Sequence, residues 1–210
     1  RVATQHLLLH QGVVPQVNLA MSAGVAHRWN DGRLAFEPAL SETFATNVEG
    51  IFIAGDTGGI GGADAAQASG TLAALEMARR LGKTMPHHRA ASACARSALS
   101  GALRGRSFLD QLYRPPEYCR RPADDVIVCR CEEVTAGQIR ALARQGVQGP
   151  NQAKAFSRAG MGPCQARQCG LVVCELMAEV QQCSPDAVGH MRIRAPVKPV
   201  TVAQMAQLGE

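Results

Sequence analysis

Cys129, Cys131, Cys164 and Cys169 have the residue type and the spacing of a metallocentre. They form a C-x-C pair, then a gap of 32 residues, then a C-x4-C pair inside Gly160-Met161-Gly162-Pro163-Cys164-Gln165-Ala166-Arg167-Gln168-Cys169-Gly170. Thiolate is the ligand that iron–sulfur clusters require, and a [2Fe–2S] cluster takes four of them. The chemistry open to such a set is electron transfer. Structural zinc is the alternative, although it favours pairs spaced C-x2-4-C, which C-x-C does not match. Disulfides are disfavoured because eight cysteines with no secretory signal point to a reducing, cytoplasmic compartment.

An anionic cluster needs donors and positive charge around it. The spacing puts Cys164 at a helix start and Cys169 a little more than one turn further on. Free N–H groups there, with the turn Gly160-Met161-Gly162, can donate to sulfur. Arg130, Arg158 and Arg167 are neighbours of these cysteines in sequence and can add positive field. The other cysteines, Cys94, Cys119, Cys174 and Cys183, read as small semi-buried thiols, with Cys174 packed on a helix.

A second candidate is Gly50-Ile51-Phe52-Ile53-Ala54-Gly55-Asp56, an apolar strand ending in Gly-Asp. A glycine-rich loop, Gly58 to Gly62, leads from it into a helix over about 64–81. In α/β folds such a turn brings backbone and helix N-terminus to a dinucleotide. The Asp56 carboxylate is placed to accept from sugar or polyol hydroxyls, and Gly61-Gly62 would admit a ring or phosphate. The segment is neither a P-loop nor the first Rossmann fingerprint. Taken alone, such a turn is equally open to tight packing of helix on sheet as the explanation of its glycines.

Three resemblances join these motifs. Cys129-Arg130-Cys131-Glu132-Glu133-Val134-Thr135 and the run from Gly160 to Cys169 resemble the bacterioferritin-associated-ferredoxin-like (BFD-like) [2Fe–2S]-binding domain. That resemblance implies a small helical fold and ligation by Cys129, Cys131, Cys164 and Cys169. The C-x4-C spacing is that of the version found in multidomain oxidoreductases rather than of the free-standing ferredoxin. Thr46 to Asp56 resembles the second FAD-contacting motif of glutathione-reductase-like flavoproteins. It implies that Gly55 and Asp56 meet the ribityl chain and that Gly62, Ala63, Asp64 and Ala65 approach the flavin or pyrophosphate. With the Arg-x-Arg-x-Pro-x-Lys-Pro tail, the whole chain is similar to the C-terminal part of the FAD- and [2Fe–2S]-containing subunit of heteromeric amino-acid dehydrogenases. That family includes opine oxidases, dye-linked proline and hydroxyproline dehydrogenases and hydrogen-cyanide synthase. The resemblance implies a partner flavoprotein subunit that oxidises a C–N bond, and a downstream electron acceptor. A stand-alone [2Fe–2S] electron-transfer or metal-handling module and a zinc-stabilised interaction module are the alternatives.

The elements that must position these residues follow from pattern. The fold class is α/β: a partial FAD/NAD(P)-binding domain over 1–85, a helical linker over 86–125, the BFD-like domain over 126–190 and an extended tail over 191–210. Leu7-Leu8-Leu9 reads as a buried strand, residues 17–23 as a brief helix, and 27–37 as a hairpin around the two-residue turn Asp31-Gly32. Leu72, Leu75, Met77 and Leu81 supply the apolar positions of the helix over 64–81, with Gly82 as its C-cap. Residues 88–113 read as helix, 126–129 as strand, and Thr135 with Gln138 as a capping box opening a helix through Gln145. Helices over 151–158 and 164–181 follow.

Net charge is +5, and no apolar run approaches the roughly 18 residues of a membrane span. Eight Lys/Arg between Lys83 and Arg121 face only Asp110 and Glu117. Without interleaved aromatics this basic stretch reads as a solvated or subunit-contacting surface, not a nucleic-acid site. His6, His10, His27 and the pair His87-His88 read as core or surface residues. The start at Arg1, without an initiator Met or signal segment, reads as the later part of something longer or a processed product.

Overall fold

The computed structural model describes residues 2–8 and 12–209. Leu9 and His10 lie outside them. Leu7 and Leu8 are exposed and form no strand, so the buried strand expected there is not seen. The described chain mixes helices with two small antiparallel sheets of two strands each.

A short helix, α1 (Asn18–Ser22), precedes a hairpin of β1 (His27–Asn30) and β2 (Ala35–Pro38). Asn30 pairs with Ala35, so the connection spans four residues rather than two. The cause is the Asn30 side chain, whose Oδ1 accepts from the N–H groups of Gly32 at 2.9 Å and Arg33 at 3.2 Å. That bonding moves the left-handed position from Gly32 to Leu34, at φ 54°.

The strand expected over 50–56 reduces to a single bridge between Ala45 and Phe52. Positive φ at Phe44 (64°) and Gly50 (78°) interrupts the pairing on either side. A 3-10 turn, Gly55–Gly58, then leads to α2 (Ala63–Arg80). The buried face of α2 is mostly small: Ala65, Ala68, Ser69, Leu72 and Ala73. Leu75 is half-buried, while Met77 and Leu81 are exposed, and α3 (His88–Ala102) packs against α2. Gly82, at φ 69°, sits just past the end of α2 and lets Lys83 N–H reach Ala78 O at 2.8 Å, which closes the helix.

The helix expected over 88–113 is split at Gly105 (φ 75°) into α3 and α4 (Arg106–Leu112). A further turn, α5 (Glu117–Arg120), follows the two prolines. Then β3 (Ile127–Cys129) pairs with β4 (Val134–Thr135), and α6 (Ala136–Arg144), α7 (Pro150–Ser157), α8 (Gly170–Gln181) and α9 (Pro185–Val188) follow. The Thr135–Gln138 capping box is complete, with Gln138 N–H donating to Thr135 Oγ1 and Thr135 N–H to Gln138 Oε1. Ile139, Val173, Leu176 and Met177 fill the core around which these helices close, and Cys129, Cys169 and Met191 belong to the same buried cluster.

Two elements differ from the sequence pattern here. The helix expected from Cys164 begins only at Gly170, because Gln165 (φ 53°) and Ala166 (φ 62°) are both left-handed, which no right-handed helix accommodates. The tail is extended to about Val200 and then forms α10 (Val202–Ala206), opened by a second capping box from Thr201 and Gln204.

The hairpin and α1 touch the cysteine-bearing part of the chain. Asn18 Nδ2 donates to Gln165 O at 2.8 Å, Trp29 N–H to Asp186 Oδ1 at 2.8 Å, and Phe36 meets His190 edge-on.

Candidate metal centre

Each cysteine is delivered by a different device. Cys129 ends β3 and is buried. Cys131 stands exposed on the turn that returns to β4. Cys164 is half-buried in the left-handed loop before α8, and Cys169 is the buried N-cap of that helix. The structure brings all four together. The thiols of Cys129 and Cys169 influence each other's protonation, as do those of Cys131 and Cys164, and the two pairs lie within electrostatic reach. Among the described residues no three or more His, Cys, Asp or Glu side chains sit close enough to hold one metal ion. The arrangement is two pairs rather than one cage.

The electrostatics of the pairs differ. Burial, then the neighbouring Cys129, pushes the Cys169 thiol far above its ordinary value. Burial also acts to raise Cys164, but the N–H groups of Gln168, Ala166 and Arg167 and the Cys131 thiol outweigh it and hold Cys164 below its ordinary value. The Cys164 N–H favours the Cys131 thiolate, yet the shared contact with the Cys164 thiol raises Cys131 overall. Ligation requires each thiol to give up its proton, which burial opposes at Cys169 and the surrounding N–H groups favour at Cys164.

Glycine is required at two points of the loop. A Cβ at Gly162 would lie 2.2 Å from Cys131 Cβ and 3.1 Å from its Sγ. A Cβ at Gly160 would lie 2.2 Å from Met191 Sδ, and the φ there is 83°. The Gly160 N–H donates to Cys129 Sγ at 3.4 Å, as the glycine-rich turn implies. Of the three arginines expected to add positive field, Arg167 braces the loop by donating to Cys164 O at 3.1 Å. Arg158 is neutralised by Glu132 at 2.8 Å, and Arg130 is exposed.

At the Gly-Asp turn, Gly55 adopts φ 68° and its N–H donates to Ser69 Oγ at 3.0 Å, tying the turn to α2. Asp56 is exposed on the 3-10 turn, as are Gly62, Ala63 and Asp64, while Ala65 is buried. No side chain caps α2, so its first N–H groups are open. The two glycines before it divide the roles suggested for them. Gly61 is a packing residue, since a Cβ there would meet Ala65 Cβ at 2.8 Å and Leu103 Cδ2 at 2.9 Å. Gly62 has φ 94° and nothing within 4 Å. No hydrogen bond or ion pair among the described residues links Asp56 to the cysteines.

Sequence reasoning missed a buried ion pair beneath α8. Glu175 is 3% exposed and is held by Arg120, with Arg121 Nε 3.9 Å away. A lone glutamate in Gly170-Leu171-Val172-Val173-Cys174-Glu175-Leu176-Met177 was the available signal. The basic stretch is also partly spent inside the chain: Arg106 and Arg33 share Asp110, and Arg33 also binds Glu37. These residues border a cleft of about 450 Å³ between the hairpin, α4 and α8. Of the remaining cysteines, Cys174 is buried with its thiol pushed up to about 12 by burial, whereas Cys94 and Cys183 are exposed, not semi-buried. No helix among the described residues is long and apolar enough to cross a membrane.

Residues 125–208 match the family described as the sarcosine oxidase A3 domain. Over 99% of its length the chain is 44% identical to an opine oxidase subunit from Agrobacterium tumefaciens, covering 42% of that protein. It is 41% identical to the corresponding opine oxidase subunit from Rhizobium meliloti (strain 1021), over 100% of the chain and 45% of that protein. It is 31% identical to hydrogen cyanide synthase subunit HcnB of Pseudomonas aeruginosa, over 99% of the chain and 45% of that protein. Among solved structures, the fold resembles L-proline dehydrogenase from P. horikoshii, with a TM-score of 0.71 over 91% of this chain and 37% of that one, at 20% identity. The chain spans less than half the length of each of these relatives.

Proposed function

We propose that this chain is the electron-transferring portion of an FAD- and [2Fe–2S]-containing subunit. Its partner subunit oxidises the C–N bond of an amino acid, opine or related amine, and the electrons leave toward a separate acceptor. One observation carries the reading: four thiols from two distant stretches meet as two pairs, around a loop with no room for a Cβ at Gly162. Four cysteines in a C-x-C and a C-x4-C pair would suit the four thiolates of a [2Fe–2S] cluster better than structural zinc, which favours C-x2-4-C pairs. Similarity to proteins named as subunits of opine oxidase and hydrogen cyanide synthase supports the reading.

Cys129, Cys131, Cys164 and Cys169 would hold the cluster, which when bound supplies one-electron chemistry beside a two-electron flavin. The chain's own contribution is to exclude water from the inner pair, to donate the Gly160 N–H to Cys129 and to surround Cys164 with N–H groups that favour its thiolate. Gly55, Asp56, Gly62, Ala63, Asp64 and Ala65 would meet FAD. The open N–H groups of α2 suit a phosphate or ring oxygen, and the exposed Asp56 suits a hydroxylated chain.

Visible absorbance and iron content of the full-length subunit, purified anaerobically with its partners, test the cysteine assignment. Cys129→Ser and Cys169→Ser are each expected to lose the colour and most of the iron; full iron in either variant would refute it. The same preparations report on flavin. Asp56→Ala is expected to weaken FAD retention roughly tenfold, the scale of one lost charge-assisted hydrogen bond. Unchanged occupancy would count against the flavin-contact reading.

A further inference from the structure

The segment after α9 alternates: Met191 and Ile193 are buried, while Arg192 and Arg194 are exposed. Successive residues of an extended chain face opposite sides, so this pattern anchors the segment by its apolar face and turns both guanidinium groups outward. Arg192 N–H donates to Asn151 Oδ1 at 2.7 Å, which fixes the segment against α7. Lys154 of α7 is near enough that burial first, then the charges of Arg194 and Arg192, depress its ammonium. Lys198 follows where Arg167 Nη2 donates to Val197 O at 2.7 Å. Among the described residues no carboxylate pairs with any of these four cations. Gathered like charge opposes folding through self-repulsion, so stability does not account for it.

The patch borders the open side of the thiol set. A shallow hollow of about 530 Å³ is lined by Arg194, Lys198, Arg158, Glu132 and Met161, and Gly162 in its wall packs on the exposed Cys131. Its single carboxylate, Glu132, is already bound by Arg158 at 2.8 Å. The hollow is open to solvent and has no aromatic lining. It lacks both the enclosure that a small apolar oxidant needs and the stacking platform that a nucleic-acid strand needs. A charged, shallow face beside a redox centre matches the small, electrostatically steered encounters of electron-transfer proteins.

We propose that the face framed by Lys154, Arg192, Arg194 and Lys198 docks an acidic redox protein against the exposed Cys131 side of the cysteine loop. This rests on the cluster reading, which gives a redox partner its reason to approach there.

Calorimetric titration of the full-length subunit with an acidic plant-type [2Fe–2S] ferredoxin as the probe tests the proposal. It is run at about 20 mM and about 300 mM salt, on either side of strong screening. At low salt, Arg192→Glu/Arg194→Glu/Lys198→Glu is expected to weaken binding at least roughly tenfold, and high salt to close the gap. The control Lys83→Glu/Arg89→Glu/Arg104→Glu makes the same charge change on a different exposed surface and is expected to cost less than about twofold. Equal affinities for the two triple variants would overturn the docking face. Iron and sulfide counts on the same samples read the cluster separately. Full counts with equal affinities remove the docking face alone, whereas tail-dependent binding without iron removes the cluster reading.

Discussion

Gly162→Ala is expected to strip the protein of iron, although it adds a single methyl group. The Cβ it introduces falls 2.2 Å from Cys131 Cβ. That atom is fixed by the backbone, so no side-chain rotation relieves the clash. Either the turn carrying Cys131 or the loop carrying Cys164 must move, and the outer thiol pair separates. Overpacking of this kind costs roughly 1–3 kcal/mol, which a folded chain survives and a four-thiolate site does not. Iron retention below about a tenth of wild type is expected, by analogy with the 10–100-fold losses seen when groups supporting a metal site are changed. Gly146→Ala is the control. Gly146 has φ 92° and nothing within 4 Å of an added Cβ. Its cost is backbone strain of about 1–2 kcal/mol, without loss of iron. Full iron in Gly162→Ala, or equal loss in both variants, would contradict the geometry.

Arg120→Ala is expected to give the largest loss of stability. Removing one partner of a buried ion pair leaves an uncompensated charge and costs roughly 3–5 kcal/mol. Glu175 is 3% exposed, and Arg121, whose Nε lies 3.9 Å away, recovers only part of this. In a domain of this size such a loss lowers the melting temperature on the order of 10 °C. The pH dependence has a definite sign. Burial holds the Glu175 carboxyl above its ordinary 4.5, against the opposing pull of Arg120 and Arg121. A group whose folded value is raised stabilises the fold most when protonated, and that contribution is lost as pH rises through the folded value. Removing Arg120 raises it further, so the defect should shrink as pH falls toward 4.5 and widen toward neutrality. Arg120→Met/Glu175→Leu, which removes both charges, should unfold closer to wild type than Arg120→Ala at neutral pH. A double variant as weak as the single one would show that the pair does more than neutralise itself.

What the sequence makes legible is whatever side-chain chemistry enforces locally. The Thr135–Gln138 capping box appears where its spacing places it, as do α2 with its glycine stop at Gly82 and the packed Cys174. The convergence of the four thiols is legible from type and spacing, but the backbone that achieves it is not. Gln165 and Ala166 carry no signal for left-handed φ, and their conformation is imposed by a loop wrapping Cys164 with N–H groups. For the same reason the pattern starts the helix six residues too early, at Cys164 rather than Gly170. The strand over 50–56 rests on apolar residues, which report burial but not pairing; Phe44 and Gly50 limit that pairing to one bridge. Charge is the least legible property. Arg106 and Arg120 look like surface cations in the sequence, and only tertiary structure sets them against Asp110 and Glu175. The exposed Arg192 and Arg194 do follow a readable alternation with Met191 and Ile193, once the segment is known to be extended.

The most direct test of the redox assignment is the ratio of iron to acid-labile sulfide to chain in the anaerobically purified full-length subunit. A binuclear centre held by Cys129, Cys131, Cys164 and Cys169 predicts about two irons and about two sulfides per chain, falling together in Cys169→Ser. One zinc per chain with no sulfide, or iron and sulfide unchanged in Cys169→Ser, would contradict it.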